Sequence, residues 1–162
     1  MTRGKQFLIT FIMLIAVLSQ AGCGGGGGGS GAVNEPPPLT GAIVSKAASL
    51  SGSEEIPPVI TSASGSGILD VSTTTGAVRG SVTLQTSSPV TPVIAVHVYE
   101  GARGENGGIV IALINSGSGV WSVPSDKVLT AAQVNSFLAG NFYFNVRTDA
   151  NLNGEFRGQI DQ

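Results

Sequence analysis

From about Ala42 onward, short β-prone apolar runs alternate with turn residues. Candidate strands are Ile43–Leu50, Gly67–Ser72, Gly80–Gln85, Val93–Tyr99, Ile109–Ile114, Val120–Val123, Phe142–Thr148 and Glu155–Ile160. They are rich in Val, Ile and Thr and are separated by Gly, Ser, Asn and Asp, as strands and turns require. Ser72 to Val78 reads as a hairpin connection with Gly76 as its turn glycine. One segment breaks the period of two. Thr130 and Gln133 fit a capping box, and Gly140 fits a helix C-terminus. Between them Val134, Phe137 and Leu138 fall on one helical face. The pattern predicts an all-β domain, an antiparallel β-sandwich with an Ig-like or SOD-like Greek key, carrying one short helix near the C-terminal strands, at 131–139.

The N-terminal quarter follows another rule. Arg3 and Lys5 precede the uncharged apolar run Phe7–Leu18, which is short for a bilayer span. Ala21 and Gly22 then lead into Cys23, the only cysteine. This is the layout of an export signal. The cysteine after Ala-Gly resembles the lipobox of bacterial lipoproteins, except that Gln20 stands where that family usually has Leu. The resemblance implies lipidation of Cys23, which would then be the first mature residue. Ordinary cleavage near Ala21, releasing a soluble secreted protein, is the alternative. Gly24–Gly29 and Pro36–Pro38 cannot bury apolar surface and read as a tether. Its reach is roughly 25 Å. The chain therefore divides into a signal peptide (1–22), a lipidated cysteine and Gly/Pro-rich tether (23–42), and a β-sandwich domain (43–162).

Composition narrows the partners. Without Arg3 and Lys5 the eight basic side chains fall to six, against ten acidic ones, a formal net charge of −4. No basic cluster occurs, so nucleic acid is not an expected partner. A single cysteine permits no internal disulfide, and the fold must rest on its core. No cofactor is expected.

Four segments together resemble the CHRD (chordin-type) domain. They are Leu50 to Val59 with Glu55, Pro57 and Pro58; Gly65 to Val82; Ala95 to Gly101 with Asn106-Gly107-Gly108 following; and Leu129 to Gly158, containing Tyr143, Asn145, Arg147, Glu155 and Arg157. The match runs in order over residues 46–160. It implies a sandwich fold and, in members carrying His-x-His and a third His, a cluster suited to a metal. Here only His97 remains; Tyr99 and Arg147 stand at the other two positions. A guanidinium has no lone pair and repels cations. His97, Tyr99 and Asn145 are thus a poor metal site, and no metal is expected.

The residues instead suggest a hydrogen-bonded polar face, with Arg147 paired to Glu100 or Glu155 and with Tyr99 and Tyr143 exposed. Glu54 and Glu55 read as two surface carboxylates, since neighbours on an extended chain point apart. Asp149, Asn151 and Asn153 before Gly154 match half a calcium loop, but also an ordinary turn, which is preferred. Trp121, Phe142 and Phe144 read as core. No nucleophile elbow or acid pair is present, so no catalytic residue is assigned. The expectation is a monomeric, non-catalytic binding module of the bacterial cell envelope, exported and lipid-anchored, at the outer membrane facing periplasm or exterior. Its partners would be the membrane, through its anchor, and another envelope protein. The alternative is an extracytoplasmic copper or zinc protein with a degenerate histidine site.

Overall fold

The computed structural model describes residues 37–85 and 92–162. Nine strands form one antiparallel sheet: β1 (Ile43–Ser51), β2 (Ser64–Ser72), β3 (Val78–Gln85), β4 (Val93–Glu100), β5 (Gly108–Ala112), β6 (Ile114–Gly117), β7 (Val120–Ser122), β8 (Phe142–Thr148) and β9 (Phe156–Gln159). Their order is β5-β4-β8-β9-β1-β2-β3-β7-β6. The two edge strands, β5 and β6, are consecutive in the chain, with only Leu113 between them. At Leu113 the backbone still bonds β4, through Leu113 N–H to Val96 O. One residue later, Ile114 pairs with Ser122 of β7. The predicted single strand Ile109–Ile114 thus divides at a corner, which nearly closes the sheet into a flattened barrel.

The two faces of the sandwich are therefore two halves of one curled sheet. Alternation sends Val96, Val98, Phe142, Phe144, Val146 and Phe156 inward from one half, and Leu69, Val71, Val82 and Trp121 inward from the other. The halves touch at Gly67, where a Cβ would lie 2.6 Å from the Phe144 ring. That close approach excludes any side chain there. Between β9 and β1 the register slips. Ser51 faces Arg157, whereas Ala47 exchanges both backbone bonds with Gln162, so the chain between Arg157 and Gln162 carries one extra residue.

The helix α1 (Ala131–Leu138) has the expected capping box, with Thr130 and Gln133 bonding reciprocally. Gly140 follows at φ +80. Val134 and Phe137 face the core, but Leu138 is largely exposed, so the apolar face is narrower than its spacing predicts. Instead Lys46 of β1 donates to the carbonyls of Phe137 and Leu138, at 3.2 and 3.0 Å. This satisfies the orphan acceptors at the helix end and favours the negative pole of its dipole.

Phe144 fills the space between the halves. Phe144→Ala should cost about 3–5 kcal/mol in urea unfolding. Ile68→Ala, on the exposed side of β2, should stay within about 0.5 kcal/mol. Equal costs would contradict this account of the core.

Candidate functional site

The far side of β4, β8 and β9 is where the sheet departs from a simple inside and outside. β8 is buried at nearly every position on both faces. Its outward residues Tyr143, Asn145 and Arg147 lie beside His97 and Tyr99 of β4 and Arg157 and Gln159 of β9. Two loops cover them. One carries Glu55 to Val59 and follows the short 3-10 turn Gly52–Glu54; the other is 101–107.

Covering these polar groups requires hydrogen bonds in place of water. Arg157 is only 2 % exposed, and its guanidinium carbon sits 3.5 Å from the Tyr143 ring centroid. Arg157 donates to Asn106 Oδ1, Gln159 Oε1 and the Ala102 carbonyl. Asn106 in turn donates to Ile56 O at 3.1 Å, tying the two loops together. Gln159 donates to Gly101 O and Gly140 O. Tyr143 Oη accepts from Gly107 N–H at 3.0 Å. The Tyr99 and Tyr143 rings stack 5.1 Å apart.

Glu55 is 6 % exposed, not a surface carboxylate. The paired-acid pattern with Glu54 conceals this, because the local chain turns Glu55 onto the sheet. Asn145 Nδ2 donates to both its oxygens, at 2.9 and 3.2 Å. Burial pushes the carboxyl up to about 7, although Arg157, the Ile56 N–H and Asn145 favour its charge. Gly154, at φ +142, packs on this pair; a Cβ would stand 2.4 Å from Asn145 Nδ2 and 2.6 Å from Glu55 Oε1. Glycine is required there on both counts.

Arg147 pairs with neither predicted carboxylate. Glu100 has the inward parity of Val96 and Val98. The Glu155 oxygens are taken by the hydroxyls of Thr61 and Thr148, at 2.7 and 2.6 Å. Burial would raise the Glu155 pKa, but these bonds and one from Asn151 together hold it below the ordinary value. Arg147 Nη2 instead donates to Tyr99 Oη at 2.6 Å, while Nε is buried with no partner. Tyr99 and Tyr143 are both buried, against the expectation of exposure. Burial, then Arg147, lowers the His97 pKa, and its Nδ1 is unpartnered.

These residues do not fit a metal ion. One imidazole stands beside a guanidinium, and among the described residues no group of three or more His, Cys, Asp or Glu comes together. Residues 149–154 form the turn between β8 and β9. Asn151 N–H bonds Thr148, Gly154 N–H bonds Asn151 O, and Asp149 is exposed. Pro57 lines an open cleft of about 480 Å³ together with Glu55, Tyr99, Asn145, Arg147 and the 150–154 turn; Pro58 is exposed beside it. Cys23 lies outside the described residues. Sequence reasoning missed Asn106, Gln159 and Gly154 as site residues; Asn106 leaves a trace in the Asn-Gly-Gly of the third CHRD-like segment, and Gly154 as the glycine after an Asn-rich turn.

The site thus defines an all-β module whose separated sequence segments converge on one covered polar face. The model of the CHRD domain family matches residues 46–160, well over half the chain, and the chain belongs to that family. No curated protein and no solved structure matches it.

The buried carboxyl sets a pH signature. The folded state holds the Glu55 proton more tightly than the unfolded chain, so its contribution is full below 4.5 and is lost as pH rises through about 7. The loss is on the order of 3 kcal/mol. His97 opposes it in an overlapping range, and Glu155 acts at lower pH. The difference in unfolding free energy between wild type and Glu55→Gln isolates the term. Wild type should lose stability relative to the variant between about pH 4.5 and 7; a constant difference would disprove the burial-raised carboxyl.

Proposed function

We propose that this CHRD domain is a non-catalytic binding module of the bacterial envelope, held to a membrane by a lipid on Cys23, with the Glu55–Arg147 cleft as its binding face. The observation that carries the reading is the cleft itself. It is open, yet its floor is a largely buried, hydrogen-bonded set of side chains drawn from three of the four family-like segments. Such a floor presents a fixed surface, as recognition needs. Among the described residues no hydroxyl or thiol bonds His97, the one imidazole able to act as a base. Tethering by residues 23–42 suits a domain that meets partners near a membrane face. Its weakly acidic composition disfavours nucleic acid.

Two results test this. Lipidation with two or more acyl chains would hold the protein firmly, whereas one chain is marginal. Wild type should fractionate with membranes and Cys23→Ala should not. A mature wild type found wholly soluble, with an unmodified N-terminus, refutes the anchor. Photocrosslinking in intact cells from position 152, at the cleft rim, should give a discrete adduct that position 68 does not give. Identical patterns refute the binding face.

A further inference from the structure

The cleft has chemistry specific enough to name a ligand class, on the reading that it is the binding face. The lining of the cleft includes two apolar residues, Pro57 and Leu152, the latter 62 % exposed. An apolar side chain that open, on a turn beside a cleft, offers contact area to whatever enters. The same lining carries Arg147. Among the described residues no carboxylate lies within ion-pair distance of Arg147; the ion pairs there join Arg103 to Glu54 and Asp161. Its Nη2 meets Tyr99 Oη and its Nε is enclosed, so Nη1 and the second Nη2 hydrogen remain for a ligand. Asn145, nine-tenths buried on the floor, has Oδ1 without a donor.

We propose that the cleft binds a small carboxylate carrying an apolar group, with the carboxylate on Arg147 and the apolar group between Pro57 and Leu152. A planar guanidinium matches a carboxylate with two parallel bonds. A single arginine, with no lysine beside it in the cleft, suits a monoanion better than a phosphate dianion. Glu55 sharpens the preference. Arg157 of β9 faces it, Tyr99 of β4 lies near it, and the 150–154 turn brings no charge. Its burial favours the neutral form, which tolerates one added negative charge more readily than two. A volume of about 480 Å³ accommodates a small branched acid or the last residue of a peptide.

The full chain carrying Cys23→Ala, kept in solution at about pH 6, is titrated by nuclear magnetic resonance and calorimetry. Probes are 4-methylpentanoate, N-acetyl-glycyl-leucine, 4-methylpentanamide, acetate and inorganic phosphate. Both branched acids should saturate one site and shift the Arg147 and Asn145 side-chain signals. The tighter of the two identifies the source, free acid or peptide carboxyl terminus. The neutral amide should bind at least roughly tenfold more weakly, as should both acids to Arg147→Gln. Leu152→Ala, on an exposed turn, should weaken both branched acids and leave acetate unchanged. Amide binding equal to the acids, phosphate binding as tight as theirs, or unchanged affinity in Arg147→Gln overturns the proposal. An adduct from position 152 with no carboxylate preference would leave the binding face standing and remove only this ligand class.

Discussion

An arginine withdrawn almost entirely from water is the constraint around which this side of the domain is arranged. Burying a guanidinium without partners costs several kcal/mol. Arg157 accordingly has a ring beneath it and acceptors around it. Tyr143 supplies the ring, while Asn106, Gln159 and the Ala102 carbonyl accept its hydrogens. Its charge in turn limits how far burial can raise the Glu55 carboxyl. The two loops that lie over β8 and β9 are held by the same atoms. Asn106 accepts from Arg157 and donates to the Glu55 loop, so loop, cation and sheet cannot be changed singly. Burial of β8 on both faces is the consequence, and it gives the cleft its fixed floor.

What local sequence could reveal follows from which interactions are local. The capping box of α1 and the Gly76 turn depend on residues within a few positions, and both are legible. Most strands are legible because alternation marks the inward face. The corner at Leu113 is not, since it depends on which distant strand each half of the segment pairs with. The site was half legible. The resemblance gathered Glu55, His97, Asn145, Arg147 and Arg157. Alternation alone equates a polar face with an exposed one. It therefore misplaced Tyr99, Tyr143 and Glu55, whose cover comes from loops with no period of their own. Arg147 was misassigned because Glu100 has the inward parity of its strand and Thr61 and Thr148 had already claimed Glu155.

Tyr99 and Arg147, at the two positions where the CHRD resemblance implies histidine, act as one coupled pair. The two side chains come from different strands and reach across the polar face to bond at 2.6 Å. The phenol accepts from the guanidinium, and the guanidinium carbon lies 5.8 Å from the same ring. Tyr99 also stacks on Tyr143, which stacks on Arg157. A continuous column of cation, ring, ring and cation thus runs from β9 to β8 through β4. Two like charges at its ends are kept apart by two aromatic faces, each able to attract a cation. In such a column a divalent ion would add a third positive centre, whereas an anion would relieve the one end that is open. The inner end, Arg157, is sealed by its loops and shapes the floor. The outer end, Arg147, borders the cleft and keeps donors free. One row of side chains thereby supplies both rigidity and a point of attraction, and which role each arginine takes is decided by the loops that cover it.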